Sequence, residues 1–260
     1  MALRAVIFDW AGTMVDFGSR APVEAFRALF AEFDTEIAEA EARGPMGLNK
    51  IDHIRALLAM PRVAQAWAGA NGAADEDAVA RLFARFREID GDVVARFTDL
   101  IPGAAEVAAA LRERGLKIGS STGYNRDVMA AVLEAAARQG YRPDNLVCAD
   151  DLPVGRPSPM MMYRCFLDLQ VWPASAVVKV DDTVPGILEG RAAGSWTVAL
   201  ALSGNAAGIA VEDLADPDAP HVEEARARAQ EMLRAAEPDY IIDTVADLLP
   251  VIEEIEQRMA

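Results

Sequence analysis

Ala5-Val-Ile-Phe-Asp-Trp-Ala-Gly-Thr-Met-Val-Asp16 is a short apolar run that stops at Asp9 and continues through Gly12-Thr13 to Asp16. An apolar run this short, closed by turn residues, reads as a strand buried on both faces. A carboxylate at its carboxyl end, opened to solvent by a glycine turn, sits where α/β proteins place their chemistry.

Working outward, further apolar runs alternate with helical stretches. Leu116–Thr122 follows a helix over Ala104–Arg114, with Gly115 as its C-terminal cap. A helix over Asn125–Arg138 precedes the short apolar stretch Leu146–Cys148, and Met160–Leu169 is helical in pattern. Ala176–Val180 is a strand running into Asp181-Asp182. Ile187–Ala193 reads as helix closed by Gly194, Trp196–Leu200 and Tyr240–Ile242 as strands, and Val245–Arg258 as the last helix. This alternation argues for a parallel sheet covered on both faces.

Residues from about Gly18 to Leu100 differ. Ala21–Phe33, Asn49–Leu58, Val63–Gly69 and Asp75–Phe97 each have helical periodicity, with little strand signal between them. The expected architecture is a Rossmann-like α/β core, residues 1–18 and 101–260, with a helical cap of residues 19–100 inserted after the first strand. Asn71–Asp77 and Val211–Pro220 are the expected surface loops.

The chain has 260 residues, 52% of them hydrophobic and 25% charged, a globular composition. A net charge of −16 disfavours nucleic acid and anionic membranes as partners. It would also repel an anionic substrate, so a phosphate site must gather its own cations. Two cysteines, Cys148 and Cys165, imply no disulfide framework and suit a reducing cytoplasm. No basic segment with an apolar signal stretch and cleavage site precedes the first strand, and no apolar run approaches the ~20 residues a membrane helix needs. Lysine is scarce: Lys50, Lys117 and Lys179 stand against 22 arginines.

Four motifs fall at the expected strand ends. After Asp9–Thr13 comes Ser120-Ser-Thr-Gly-Tyr124, where Thr122 and the following backbone N–H groups could bind phosphate oxygens at a helix start. Gly155-Arg156-Pro157 offers a cation for phosphoryl charge. Val180-Asp-Asp-Thr183 brings carboxylates that, with Asp9, could hold Mg²⁺, a cation preferring oxygen ligands. Taken singly, each is ordinary turn or capping chemistry. Their order along successive strands resembles the haloacid dehalogenase superfamily of phosphotransferases, whose first motif is Asp-x-Asp-x-Thr. There the first Asp attacks phosphorus and the second protonates the leaving group; here the second position is Ala11.

The cap carries Pro45-Met-Gly-Leu-Asn-Lys-Ile-Asp-His-Ile-Arg55. Lys50 and His53 are three apart and share one helix face; Met46 joins them if the helix extends that far. They could be a solvated lysine and a satisfied histidine. A desolvated lysine amine could also attack a carbonyl and form a Schiff base, an electron sink that lets a carbon group leave phosphorus without an acid at position 11.

Met46-Gly-Leu48 with Lys50-Ile-Asp-His53, Phe8-Asp-Trp-Ala-Gly-Thr13, Arg55-Ala-Leu57, Met60-Pro-Arg62, Ser121–Tyr124, Gly155–Pro157 and Glu189-Gly-Arg191 together resemble the phosphonatase family over nearly the whole chain. The resemblance implies hydrolysis of the C–P bond of phosphonoacetaldehyde, as the last step in breaking down 2-aminoethylphosphonate. It implies Asp9 as nucleophile; Asp9, the Ala11 carbonyl and Asp182 as Mg²⁺ ligands; and Thr122, Gly123 and Arg156 on the phosphoryl oxygens. Lys50 would form the imine, flanked by His53, Met46 and Tyr124, and two chains would form a homodimer through the cap, where Phe26, Leu29 and Phe30 suit either an interface or a cap core. One departure is Gly186, where some relatives carry a second acid; Asp181 could supply outer-shell charge instead. The rival readings are a phosphatase of the same superfamily acting on a small ester, and a non-catalytic regulator on this fold.

Overall fold

In the computed structural model, which describes residues 2–260, β1 (Ala5–Phe8) is followed by five helices, called the cap for brevity: α1 (Arg20–Ala31), α2 (Glu39–Arg43), α3 (Lys50–Ala59), α4 (Pro61–Asn71) and α5 (Glu76–Val94). The chain then returns to the core through α6 (Ala104–Glu113), β2 (Lys117–Ser120), α7 (Arg126–Arg138), α8 (Met160–Leu169) and β3 (Val177–Asp181). It ends with α9 (Val184–Ala193), β4 (Trp196–Leu200), α10 (Pro220–Arg234), β5 (Tyr240–Ile242) and α11 (Leu248–Met259). All strand pairings are parallel, in the order β2-β1-β3-β4-β5. No helix among the described residues is long and apolar enough to cross a membrane.

β1 and β3 are buried at every position, as central strands covered by helices on both faces must be. Phe8 is in register with Ser120 on one side and Val180 on the other. Asp9, Ser121 and Asp181 therefore leave the sheet side by side at its carboxyl edge, the ligand-binding edge of open α/β sheets.

The cap leaves and re-enters the core at one point. Val15 and Leu100 form an antiparallel bridge, the Asp16 N–H donates to the Asp99 carbonyl at 3.1 Å and the Ile101 N–H to the Met14 carbonyl at 2.9 Å. The Asp16 carboxylate caps α1 by accepting from the N–H groups of Arg20 and Ala21 at 3.0 and 2.9 Å. Inside the cap, Phe26 stacks on Phe86 with centroids 4.7 Å apart, and Phe30 meets Trp67 edge-on. Phe26, Leu29 and Phe30 are fully buried, so they form a cap core and offer no dimer surface.

The expected elements differ from the fold at definable places. α10 occupies residues assigned no structure. Its buried face is Val222, Ala225, Ala229 and Leu233, a stripe half alanine whose hydrophobic period is faint. Five-residue α2 is too short for a periodic signal. Val211–Pro220 contains a short 3₁₀ turn, and Pro220 opens α10 as a first-turn proline. The short apolar stretch Leu146–Cys148 contributes a single parallel bridge, Val147 to Ser121. α3 begins at Lys50, because the Asn49 side chain accepts from the Asp52 N–H at 2.9 Å and caps it there. Met46 thus lies in the preceding turn and not on the helix.

Candidate active site

A cleft of ≈ 350 Å³, mouth included, opens between the cap and the carboxyl edge of the sheet. Asp9, Ala11, Thr122, Gly123, Tyr124, Arg156 and Asp182 line it from the core, and Met46 and Lys50 from the cap. Every residue expected at the site lines this one cleft except His53, which lies behind Lys50. Two glycines set the approach of the walls. A Cβ on Gly12, at φ +77°, would lie 2.3 Å from Asp182 Oδ2; a Cβ on Gly47 of the cap, at φ +92°, would lie 2.5 Å from Thr183 Oγ1 of the core.

The core side is a buried charge network. Arg156 Nη2 lies 2.8 Å from Asp9 Oδ1 and 3.3 Å from Asp181 Oδ2, and its Nε lies 3.1 Å from Glu189 Oε2. Its Nη2 also donates to the Ser121 carbonyl at 2.8 Å. Lys179 Nζ reaches Asp181 Oδ2 at 3.0 Å, Glu189 Oε2 at 3.4 Å and Ser121 Oγ at 2.8 Å. With Asp182, four carboxylates face two cations, a formal charge of −2 when all are ionised. Burial, then the neighbouring Asp181 charge, push the Asp9 carboxyl up to about 6 against the pull of Arg156 and Lys179. Burial, Asp9 and Asp181 push Asp182 well above the carboxylate range. Asp181 goes down: Arg156, Lys179 and the Thr183 hydroxyl outweigh its burial.

These residues suit a divalent cation. Oxygens of Asp9, Asp181 and Asp182 lie within 4.8 Å of one another. Asp182 Oδ2 accepts from the Asn205 N–H at 2.7 Å and from Ser19 Oγ at 3.2 Å, whereas its buried Oδ1 has no partner. The excess of carboxylates over cations and this unpartnered oxygen both suit a hard divalent ion. Asp181, already held by Lys179 and Arg156, is the least available of the three. Its carboxylate also fills the space beside Gly186, where a Cβ would fall 2.1 Å from Asp181 Cγ. The chain therefore has no room for an acid at 186 while Asp181 keeps this place.

The cap side is an apolar amine pocket. Lys50 is 7% exposed, with Nζ 4.8 Å from the Tyr124 ring centroid, 5.6 Å from Phe26 and 6.0 Å from Phe86. Among the described residues no carboxylate lies within 4 Å of it. Burial lowers its pKa, opposed by Asp90, Asp9 and Asp16. His53 is fully buried and stacked on Phe26 at 3.8 Å. Burial and the Lys50 charge hold its pKa well below the usual value, so the ring is neutral. Its Nε2 lies 3.0 Å from the Ala42 carbonyl, which fixes Nε2 as the donor and leaves Nδ1 as a buried lone pair without a partner. Tyr124 also presents a buried hydroxyl with no partner.

Sequence reasoning assigned no role to Ser19, Asp90, Lys179, Glu189 or Asn205. Lys179 was visible as one of three lysines, and Asp90 as an acid on the apolar stripe of α5, between Phe86 and Val93. Asn205 carried no signal. It meets the site through its N–H to Asp182, and Arg43 of α2 donates to its carbonyl at 3.2 Å and to the Gly18 carbonyl at 2.7 Å.

A strand-end Asp, a buried cation and an acidic pair beneath a layer of helices define a class. The chain belongs to the haloacid dehalogenase-like hydrolase family, which matches residues 3–194. Within that family it groups with the phosphonoacetaldehyde hydrolases. The phosphonoacetaldehyde hydrolase of Paraburkholderia phytofirmans is 50% identical over 99% of this chain and 97% of its own length. That of Bordetella pertussis is 48% identical over 99% and 94%. The crystal structure of a phosphonoacetaldehyde hydrolase-like protein from Oleispira antarctica superposes with a TM-score of 0.97 at 43% identity, covering 100% of this chain and 95% of that one.

Proposed function

We propose that this chain hydrolyses phosphonoacetaldehyde to acetaldehyde and phosphate, in the breakdown of 2-aminoethylphosphonate. The proposal divides it into a core, residues 1–18 and 101–260, and a cap, residues 19–100, that brings Lys50 to Asp9. The observation that carries the reading is the buried, ring-enclosed Lys50 amine, its pKa lowered by desolvation, opening into the same cleft as Asp9. An ester phosphatase has no use for such an amine and needs an acid where Ala11 stands.

The amine at Lys50 attacks the aldehyde carbon, and the carbonyl oxygen leaves as water after taking up two protons. In this reading the neutral His53 would relay the proton lost from nitrogen to the departing oxygen, whose second proton comes from solvent, while the Tyr124 hydroxyl would hydrogen-bond that oxygen and Met46 would pack against the aldehyde carbons. Thr122, the Gly123 N–H and Arg156 bind the phosphonate oxygens and orient phosphorus towards Asp9. An Asp9 oxygen then bonds to phosphorus while the C–P electron pair moves into the protonated imine, giving an enamine on Lys50 and an acyl phosphate on Asp9. The enamine takes a proton at carbon and the resulting imine is hydrolysed, releasing acetaldehyde. Water hydrolyses the acyl phosphate. Mg²⁺ is the cofactor proposed for the acidic cluster, held by Asp9, the Ala11 carbonyl and Asp182; when bound it supplies positive charge to the phosphonate oxygens. A homodimer through the cap and a cytoplasmic location belong to the same proposal, the latter suited by two free, buried cysteines.

The test is stoichiometry with trapping. Phosphonoacetaldehyde should yield equal amounts of acetaldehyde and phosphate, and borohydride should fix the substrate carbons on Lys50. Lys50→Arg should abolish both, since a guanidinium keeps its proton and forms no imine. An active Lys50→Arg variant, or efficient hydrolysis of aryl phosphates by the native chain, would overturn the reading.

A further inference from the structure

Asp90 is a carboxylate with nothing to do in a purely structural cap. It lies on α5, is 3% exposed, and its buried Oδ1 has no hydrogen-bond partner among the described residues. It sits one helical turn after Phe86, whose ring is 6.0 Å from Lys50 Nζ and stacks on Phe26. The residues around it on the same face, Leu82, Phe86, Val93 and Val94, are apolar and buried. A carboxylate buried without partners costs several kcal/mol, and a leucine would fill such a core without that cost. The relation between the two groups is reciprocal. Among the described residues the charge that favours ionised Asp90 against its burial is that of Lys50, and Asp90 is the first of the charges that oppose desolvation of Lys50.

We propose that Asp90 is the counter-charge of Lys50: a positioning residue that holds the amine's proton affinity up against its apolar surroundings and faces the cationic imine nitrogen once it has formed. This inference rests on the imine reading. The chemistry supplies the need. The amine must lose a proton to attack, yet the imine must carry one to draw electrons from the C–P bond. Burial alone favours the neutral form of both. Asp9 cannot serve the imine throughout, because it spends its charge in bonding to phosphorus. Asp90 takes no part in that bond and keeps its charge through every step.

Other groups also act on Lys50. Asp9 and Asp16 from the β1 edge raise its proton affinity, Arg156 lowers it, and His53 on its own helix is itself depressed by Lys50. The neutral imidazole contributes no charge, and the Tyr124 hydroxyl is held protonated by burial. Asp90→Asn removes one charge and keeps the shape, so it isolates the contribution of Asp90.

The experiment follows the pH dependence of two modifications of Lys50 in the intact chain, each mapped to its peptide: reductive trapping of acetaldehyde with cyanoborohydride, and acetylation by acetic anhydride. Both need the neutral amine; only the first needs an imine. In Asp90→Asn the midpoint of both curves should fall by about one pH unit relative to the native chain, and Asp90→Glu should restore most of it. Thermal melting run in parallel separates a packing defect, which moves the melting temperature and leaves both midpoints in place. Unmoved midpoints in Asp90→Asn would overturn the inference. Absence of any acetaldehyde adduct on native Lys50, with the acetylation midpoint still shifted by Asp90→Asn, would overturn the imine and leave the electrostatic pairing standing.

Discussion

Lys179 offers the sharpest test of the buried charge network. It is fully buried on β3, its stem packs against Gly190, where a Cβ would sit 2.6 Å from its own, and its Nζ reaches Asp181, Glu189 and Ser121 within 3.4 Å. Lys179→Met keeps the volume and removes the charge, so four carboxylates are left with Arg156 alone. Removing one partner of a buried ion pair costs about 3–5 kcal/mol, chiefly because the remaining charges lose their compensation. At about 2–4 °C per kcal/mol for a chain of this size, melting should fall by about 10 °C. Glu189→Gln added to Lys179→Met removes one of the stranded charges and should recover part of the loss, a coupling that a double-mutant cycle in urea measures. Added Mg²⁺ should stabilise the single variant more than the native chain, because the cluster it enters is more negative. A Lys179→Met chain that melts within about 2 °C of the native one in the absence of metal would show that the network is not held together by its charges.

Three further outcomes are expected. Gly186→Asp must displace the Asp181 carboxylate from Lys179 and Arg156 and should cost about 3 kcal/mol or more by denaturant unfolding; native-like stability would mean that Asp181 turns aside freely. Ala11→Asp places a further carboxylate beside Asp9 and Asp182 in the cleft, so C–P cleavage should fall sharply with at most a small gain on phosphate esters; a large ester gain with C–P cleavage intact would uncouple Ala11 from the lysine chemistry. The metal-free chain should be more stable at pH 5 than at pH 7.5. Asp9, Asp16 and Asp90 are each raised by burial from 3.8 to about 6, so between those values the folded chain binds protons that the unfolded chain releases, and stability is lost as pH rises through 6. Melting curves that fall steadily from pH 7.5 to 5 would contradict this.

The sheet and its edge were legible because their signals are local. Ala5–Asp9 and Ala176–Asp182 declare buried strands ending in acids, and parallel pairing alone then brings Asp9 beside Asp181. The cleft residues Thr122, Arg156, Lys50 and Tyr124 were readable from short motifs. What escaped depends on tertiary partners. α10 hides its buried face in alanine. The start of α3 is decided by an Asn49 cap that moves Met46 off the helix without moving it out of the cleft. His53 was expected beside Lys50 and lies behind it, because stacking on Phe26 and the Ala42 carbonyl draw the ring into the cap core. Asn205 joins Arg43 of α2 through its carbonyl and its side chain, and Asp182 through its N–H, contacts that no spacing in the sequence could announce.

Lys50 and Asp9 stand on separate elements, one on the first turn of α3 and the other just past the carboxyl end of β1. Under the proposed chemistry the substrate is for a moment a covalent rivet, bonded through carbon to one element while its phosphorus is captured by the other. The bond being broken is the rivet itself. Before cleavage, separating the two elements would have to drag the phosphonate out of its oxyanion contacts; afterwards nothing would join the two fragments, the two-carbon product staying on Lys50 and the phosphate on Asp9. Cleavage would thereby act as its own release signal.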